Sequence, residues 1–507
     1  MMNKLFFGFL LFNVLTLACA AQKITYSEPE RDDVRSVDFD IVGKLNNHYL
    51  VYKRVRSTYN ICIYDNDMKL LDKVKMDFLP DRIINSEIIP YRDYFYFVYQ
   101  YQKRNIVNCV AAKMDGDGKI IGDPVTLDTT AIGFFANNKI YNILYSEDKQ
   151  CIAVYKINSK DESKYIFTSH LFDASLNSIS KFTTVIPMQA HNDFLTEFTL
   201  DNSGTMAFVK ASGNSDNSTV QKISLLVKDA NSDRIDDYPL EMGKIYLGDI
   251  RVKADNLNNH FLIAGFYSKQ RRGNIDGMYC AMWDKNTQQV TASKEVVFND
   301  QLKSNAKSQG SSRAAFDDYF LQNIVMRKDG GFAIASESAY SSSRGGIYNN
   351  RWDYMYNSPY WYNSNYYLYG NSFGYYYPWM SPYGYLNQTR FFADNIAVMS
   401  FDSSCNMEWA SIIPKSQYDD NTDNFIGYGT YLTSGEVNFL FNQFTKRTLL
   451  LQSQSVDPSG KVTLNPTLKE LDRGYQFMPR YAKQVSSREV LIPCQYRNYL
   501  CFAKVEF

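Results

Sequence analysis

The chain has 507 residues, and its 54 basic and 54 acidic side chains leave no formal net charge at pH 7. No long-range field therefore favours nucleic acid or an anionic membrane, and we expect no nucleic-acid partner. Tyrosine (40 residues) and phenylalanine (33 residues) are abundant. Because aromatic side chains favour the half-buried surfaces of pleated sheets, the composition favours an all-β fold.

The first 20 residues have the pattern of an export signal. Lys4 precedes an apolar run over 5–17, and the small residues at 18–20 fit a signal-peptidase site. The run is shorter than the ~18 to 20 apolar residues that span a bilayer, and nothing downstream approaches that length. We therefore predict removal of residues 1–20 and a periplasmic or cell-surface mature chain over 21–507. Lipidation of Cys19 is the alternative, although the preceding Thr-Leu-Ala is a poor lipobox.

An apolar strand that ends in aspartate, followed by a short polar turn, recurs along the chain. The aspartates that open these turns are Asp65, Asp115, Asp173, Asp229, Asp284, Asp402 and Asp457. They are 50 to 58 residues apart, except for an interval of 118 residues between Asp284 and Asp402. A structural unit therefore repeats along the chain, and the doubled interval indicates an insertion.

Each repeating unit contains short strands with alternating apolar residues. The strands predicted in the first two units are 39–44, 49–55, 59–64 and 70–76, then 83–89, 94–99, 106–112 and 120–127. Further units are predicted over 140–188, 194–242, 245–298, 320–413 and 425–468. Four short strands in about 50 residues are typical of a propeller blade rather than a sandwich.

The last unit contains three predicted strands, over 477–484, 490–495 and 499–507. A short strand over 23–27 can supply the fourth. This pairing would join the two ends of a ring and cover a sheet edge that otherwise invites aggregation. Without the pairing, the units would number seven instead of eight.

With this period and strand pattern, the chain resembles the β-propeller superfamily over nearly all of its mature sequence. The resemblance implies an all-β fold of eight four-stranded blades, in which the N-terminal strand closes the last blade. The Gly-His and Trp-Asp pairs of WD40 repeats and the Gly-Gly pair of kelch repeats do not recur in each unit of this sequence. The resemblance therefore supplies no site residues.

The doubled interval holds a tyrosine-rich segment, 339–390, which predicts an insertion in the sixth blade. Gly, Asn, Ser and Pro separate its aromatic residues, so no helical or strand period is maintained. Such rings can stack on sugar faces or pack against a protein partner. The alternatives are a lid that packs on its own propeller and a mobile segment. The binding residues predicted within it are Trp352, Tyr354, Tyr360, Trp361, Tyr376 and Trp379.

Charged loops flank this insertion. Propellers place the loops between second and third strands on the same rim as the links between blades, so the resemblance implies that these loops converge. Arg271 and Arg272 would supply cations from the fifth blade, and Asp419 and Asp420 would supply carboxylates from the link after the sixth. We predict that these four residues border a binding cleft. The alternative for each is an ordinary solvated surface.

Seven cysteines follow the signal segment, and five of them lie singly in apolar strand patterns, where buried free thiols are expected. Cys494 and Cys501 flank Arg497-Asn498. A tight hairpin there would set the two cysteines opposite each other, so a disulfide can form if the strand register suits its geometry. The alternative is a second pair of free thiols.

No motif in the sequence supports a specific reaction. H-E-x-x-H, paired C-x-x-C and P-loop patterns do not occur, and the four histidines have no metal-ligand spacing. We therefore expect neither a metal nor a cofactor. The leading hypothesis is an exported cell-envelope propeller that binds a protein or glycan through an aromatic rim. The alternatives are a glycan-processing enzyme with rim carboxylates, Asp419, Asp420 or Asp423 among them, and a structural subunit of an envelope assembly.

Overall fold

The structure, a computed structural model, describes most of the chain. The described residues are 23–30, 37–133, 136, 139–161, 164–188, 193–213, 220–271, 273–307, 315–316, 318–343, 389–420, 422–433, 435–445, 448–466 and 474–507. Within these ranges, no helix is both long enough and apolar enough to cross a membrane.

The strands follow one another in antiparallel units, and β1 (Lys23–Tyr26) begins the described chain. The first unit comprises β2 (Val37–Leu45), β3 (His48–Val55), β4 (Thr58–Tyr64) and β5 (Leu70–Lys75). The second comprises β6 (Asn85–Pro90), β7 (Tyr94–Lys103), β8 (Ile106–Asp115) and β9 (Val125–Ala131). The third comprises β10 (Asn142–Tyr145), β11 (Cys151–Asp161), β12 (Lys164–Asp173) and β13 (Ser178–Pro187). The fourth comprises β14 (Asp193–Leu200), β15 (Met206–Gly213), β16 (Val220–Lys228) and β17 (Asp236–Leu240).

The second half of the chain continues this order. The fifth unit comprises β18 (Tyr246–Asp255), β19 (His260–Ser268), β20 (Gly277–Asp284) and β21 (Gln289–Val297), and helix α1 (Asp300–Ala306) follows it. The sixth comprises β22 (Tyr319–Met326), β23 (Phe332–Ser343), β24 (Thr389–Phe401), β25 (Met407–Ile413) and β26 (Gln417–Asp420). The seventh comprises β27 (Tyr428–Thr433), β28 (Glu436–Thr445), β29 (Thr448–Val456) and β30 (Val462–Leu464). The eighth comprises β31 (Tyr475–Phe477), a 3₁₀ helix (Pro479–Tyr481), β32 (Lys483–Ser486), β33 (Glu489–Tyr496) and β34 (Tyr499–Glu506).

Neighbouring units contact one another, in most cases through their first strands. β2 contacts β6, β14 contacts both β10 and β18, β18 contacts β22, and β27 contacts β32, which in turn contacts β2. Side chains bridge the two other junctions. Gln100 Nε2 donates to Tyr141 O at 2.8 Å, and the Tyr428 hydroxyl donates to Asn323 Oδ1 at 3.0 Å. The eighth unit therefore meets the first, and the chain is a β-propeller.

The N-terminal strand completes the last unit, as predicted. β1 pairs antiparallel with β34, and Tyr26 lies opposite Ala503. The fourth and fifth units form one eight-stranded sheet, joined at Val220 and Leu247. Because two units share one sheet, the strand pairing does not by itself count the blades, and eight blades remains a prediction.

The strand predicted over 477–484 is wrong as a continuous element. β31 and β32 both pair with β33, but the 3₁₀ helix that begins at Pro479 separates them. Proline has no N–H to donate to a ladder and fixes its own φ, so the strand breaks there. The last bond to β33 before the break is made by Met478, whose N–H donates to Pro493 O at 2.9 Å.

The recurring aspartates hold turns through their carboxylates. Asp115 Oδ1 accepts from the backbone N–H of Asp117 at 2.9 Å and of Lys119 at 2.8 Å. The same pair of hydrogen bonds, two and four residues on, forms at Asp65, Asp173, Asp201, Asp402 and Asp457. A carboxylate that accepts two N–H groups fixes the turn locally, which explains why the period is visible in the sequence.

The apolar cores lie between neighbouring units. Leu262 and Phe266 of the fifth unit share one core with Phe332 and Phe401 of the sixth, whose rings stack with centroids 4.9 Å apart. Burial of each such side chain contributes about 1.5–3 kcal/mol to the free energy of folding.

Successive strands alternate in direction, so each unit has two distinct ends. The turns between second and third strands lie at one end, which we call the upper end, and the turns between first and second strands lie at the other. Links from a fourth strand to the next unit also lie at the upper end.

Candidate functional site

The sixth unit extends beyond its blade at the upper end. Residues 339–343 of β23 pair with 389–393 of β24, beyond the part of β24 that pairs with β25. On the other side of this extension, β26 pairs with residues 390–393. Together the three segments form a small antiparallel sheet, which we call the ribbon.

The ribbon leads into the tyrosine-rich segment. Ser343 and Thr389 are opposite each other in the ladder, so the chain enters and leaves the 344–388 segment from neighbouring points. The range predicted as the insertion, 339–390, therefore begins and ends in strands of the ribbon. Six predicted binding residues and one predicted cation lie outside the described residues: Trp352, Tyr354, Tyr360, Trp361, Tyr376, Trp379 and Arg272.

Three aromatic rings cross one face of the ribbon, one from each strand. Tyr340 is opposite Phe392, and Phe392 is opposite Tyr418, so all three side chains point to the same face. The ring centroids of Tyr340 and Phe392 are 4.5 Å apart, and those of Phe392 and Tyr418 are 6.4 Å apart. Tyr418 is 54% exposed. We call these three residues the aromatic row.

Arg390 fixes the exposed end of the aromatic row. Its guanidinium lies 4.6 Å from the centroid of the Tyr418 ring. It also bonds Asp420 in a bidentate manner, with Nε to Oδ1 at 2.7 Å and Nη2 to Oδ2 at 3.1 Å. The Arg390 hydrogen bonds lower the pKa of Asp420. Because a fork of two hydrogen bonds sets both distance and angle, Tyr418 has an ordered cation over its ring.

The two carboxylates predicted for a cleft do not share one face of the ribbon. Asp420 lies on the same face as the aromatic row, whereas its neighbour Asp419 points to the opposite face, because adjacent strand residues alternate. Burial, and then the charge of Asp420, raise the pKa of Asp419 to about 7. Arg271 lies in an exposed loop after β19, and no described contact joins it to the two aspartates.

A buried ion pair anchors the ribbon to the propeller. Lys415 Nζ lies 2.7 Å from Glu337 Oε1, and the side chains are 1% and 0% exposed. The same ammonium donates to Ala393 O and to Gln417 Oε1, both at 2.9 Å. Burial lowers the pKa of Lys415, although the Glu337 carboxylate opposes this effect. Gln417 Nε2 donates to Asn442 O at 2.6 Å, so the network reaches the seventh unit.

Sequence reasoning did not identify the aromatic row or Arg390. Phe392 and Tyr418 are 26 positions apart, and only the pairing of β26 with β24 brings them together. The one local signal for this strand is the alternation of side chains along β26. Gln417 and Asp419 point to one face of the ribbon, and Tyr418 and Asp420 point to the other. A fifth strand after the fourth strand of a blade has no counterpart in the period of the other units.

The predicted cysteine pair lies opposite in the β33–β34 ladder, with the two Sγ atoms 2.9 Å apart and both thiols buried and free. A disulfide between Cys494 and Cys501 stays a prediction. Five other cysteines are buried: Cys62, Cys109, Cys151, Cys280 and Cys405.

In the described ranges, no group of three His, Cys, Asp or Glu side chains lies close enough together to hold a metal ion.

No protein-family model matches the chain, and neither does any curated protein sequence. Several solved structures are similar to it. Prolyl oligopeptidase B from Galerina marginata is 8% identical over 92% of this chain, with a TM-score of 0.42, and the chain spans 56% of that protein's length. A protein from Lactobacillus plantarum is 11% identical over 86% of this chain and 97% of its own, with a TM-score of 0.40. An ulvan lyase is 10% identical over 82% of this chain and 90% of its own, with a TM-score of 0.36.

Proposed function

We propose that this protein is an exported binding or scaffold protein of the cell envelope, and that the ribbon binds a protein or glycan partner. The observation that carries the proposal is the aromatic row, which has an exposed Tyr418 under an ordered guanidinium. Tyrosine combines a large contact area with a polar hydroxyl and loses little side-chain entropy on binding. A ring that Arg390 already holds in place loses still less.

The segment carried by the ribbon has a composition that suits the same role. Residues 344–388 include 13 tyrosines and three tryptophans, but only three charged side chains, Arg344, Arg351 and Asp353. Aromatic residues dominate the binding energy of protein interfaces and stack on sugar faces. The segment is joined in the chain to the two strands that carry Tyr340 and Phe392, and we propose that it acts with the aromatic row as one recognition surface.

The carboxylates of the ribbon favour binding over glycan hydrolysis. A glycosidase needs two carboxyl groups that flank one glycosidic bond from opposite sides, about 5–10 Å apart. Asp419 and Asp420 are on opposite faces of the ribbon sheet, so they cannot flank one bond. Asp423, the third carboxylate of that link, is buried and lies 2.6 Å from Arg480 Nη1. A structural subunit of an envelope assembly is the remaining alternative, and in that role the ribbon would contact another subunit.

Export belongs to the proposal and rests on the pattern of residues 1–20. We expect the protein purified from its native envelope, without reductant, to have an intact mass that begins near Ala21. The same mass also reports whether Cys494 and Cys501 form a disulfide, because the bond removes two hydrogens and blocks alkylation of both thiols. A mass that includes residues 1–20 would contradict cleavage, and a lipid adduct at Cys19 would identify the lipoprotein alternative.

Replacement of residues 344–388 by Asn-Gly tests the recognition surface. Ser343 and Thr389 are ladder partners, so a two-residue turn closes the ribbon without strain. We expect the variant to keep its melting temperature within a few degrees. We also expect that the immobilised variant no longer retains its partner, when envelope glycans and solubilised envelope proteins are tested as two separate samples. Binding that survives this deletion would contradict the assignment of the segment.

Point variants test the described part of the surface. We expect Tyr418→Ala and Arg390→Ala each to weaken retention of the same partner by about tenfold, because each removes one member of the exposed ring–guanidinium pair. Leu257→Ala is the matched control, since Leu257 is exposed in a turn at the opposite end of the propeller. Equal losses in all three variants would mean that the ribbon is not the site.

A further inference from the structure

Three consecutive units place an arginine in the same left-handed turn position. The two-residue turns between second and third strands are Arg497-Asn498 in the eighth unit, Arg56-Ser57 in the first and Arg104-Asn105 in the second. The arginine φ angles are 55°, 57° and 55°, respectively. All three arginines are exposed, and they lie at the upper end of neighbouring units.

This position is energetically unfavourable for arginine. A side chain with a Cβ in the left-handed region costs roughly 1 kcal/mol, and asparagine or glycine is the usual occupant. The chain itself uses asparagine at the opposite end of the first unit, where Asn46 and Asn47 have φ angles of 48° and 65°. Turn stability therefore does not explain the arginines.

Packing does not explain the arginines either. Three other left-handed side chains, Met68, Leu176 and Cys405, are buried in the cores, which accounts for their presence. The three turn arginines are exposed instead, and no described carboxylate pairs with any of them.

The same hydrogen bond supports all three turns. The side chain two residues before each arginine donates to the arginine carbonyl: Arg54 Nε to Arg56 O at 3.2 Å, Gln102 Nε2 to Arg104 O at 2.9 Å, and Gln495 Nε2 to Arg497 O. The turn backbone is thereby satisfied without help from the guanidinium of the turn arginine. The guanidinium groups are therefore not required to hold the turns.

We propose that Arg497, Arg56 and Arg104, which we call the arginine rim, bind an anionic polysaccharide through its carboxylate or sulfate groups. Guanidinium groups pair with such oxyanions in a bidentate manner. Three cations in the same turn of consecutive blades offer successive points of contact to a linear polymer with a repeating charge. The site is separate from the ribbon and does not depend on it.

Neighbouring rings favour a sugar polymer over a membrane. The Arg497 guanidinium lies 5.4 Å from the centroid of the Tyr496 ring, and Tyr499 on the same hairpin is exposed. Aromatic faces beside cations suit the sugar rings between anionic groups. The second residues of the three turns are Ser57, Asn105 and Asn498, so these turn positions carry polar side chains rather than the apolar ones that insert between lipids.

The test is a triple variant with Arg56, Arg104 and Arg497 each changed to Asn. We expect the full chain to bind dextran sulfate or polygalacturonate at low ionic strength, and not neutral dextran. The triple variant should bind at least about tenfold more weakly, with a shallower dependence on salt. Because asparagine adopts left-handed conformations more readily, its melting temperature should stay the same or rise.

Arg488→Asn is the matched control, since Arg488 is an exposed turn residue at the opposite end of the eighth unit. We expect it to bind both polymers as the unchanged protein does. An equal loss of polymer binding in this control would mean that the effect depends only on the overall positive charge of the protein, and it would overturn the proposal. Three other results would also overturn it: unchanged binding by the triple variant, a lowered melting temperature in each single variant, and binding to phosphatidylglycerol vesicles but to neither polymer.

Discussion

Lys415→Met is expected to lower the free energy of unfolding by about 3–5 kcal/mol. The change leaves the 0% exposed Glu337 carboxyl group without its ammonium partner, with only the amide of Gln322 as a described side-chain donor, at 2.8 Å. It also removes the ammonium that bonds Ala393 O and Gln417. Urea denaturation at pH 7 measures the loss. Because the pair anchors the ribbon, partner binding should weaken in parallel.

Two further variants separate the buried charge from other causes of this loss. Adding Glu337→Gln to Lys415→Met removes the unpaired charge and should restore about half of the lost stability. Lys75→Met removes an exposed lysine paired with Asp77 and should change stability by no more than about 0.5 kcal/mol. A Lys415→Met variant as stable as Lys75→Met would show that the buried pair is unimportant.

A chain that starts at residue 31 is expected to lose at least about 5 kcal/mol of stability compared with a chain that starts at Lys23. The shorter chain lacks the β1–β34 ladder and the contact of Tyr26 with Tyr475, whose ring centroids are 4.4 Å apart. It also lacks Glu30, which pairs with the 2% exposed ammonium of Lys53. Denaturation and size-exclusion chromatography measure the effect, and we expect self-association through the open edge of β34.

Addition of a peptide spanning residues 21–30 to the shorter chain is the control. It should restore the monomer and part of the stability, because the peptide can pair with β34 and place Glu30 beside Lys53. Glu30→Gln in the peptide should rescue less. A monomeric shorter chain with undiminished stability would contradict the assignment of β1 as the strand that closes the ring.

The repeating units could be predicted because their signal is local. The carboxylate of Asp115 or Asp402 bonds N–H groups two and four residues on, so the turn chemistry is complete within five residues. The strand over 23–27 was predictable for another reason, since a three-stranded last unit leaves an edge to cover. The break at Pro479 had a local signal as well, namely a proline inside an apolar run.

The site was harder to predict because its contacts are not local. Asp419 and Asp420 were predicted to lie in the link after the sixth blade, whereas in the structure they belong to β26, which pairs with β24 and places Tyr418 beside Phe392 and Arg390. The repeat seen in the other units does not predict this additional strand. Asp419 and Asp420 illustrate the same limit, because two adjacent acids in a sequence become residues of opposite faces once they lie in a strand.

The closing ladder also has a consequence in time. Tyr26 and Ala503 are opposite each other in space but almost the whole chain apart in sequence. Contacts of such high sequence separation form late, because the loop-closure entropy must be overcome first. During synthesis, β1 therefore waits without its partner until β34 has been made. The β1–β34 ladder therefore closes the ring only after every other blade has been made. Until then, an unfinished chain exposes unpaired strand edges.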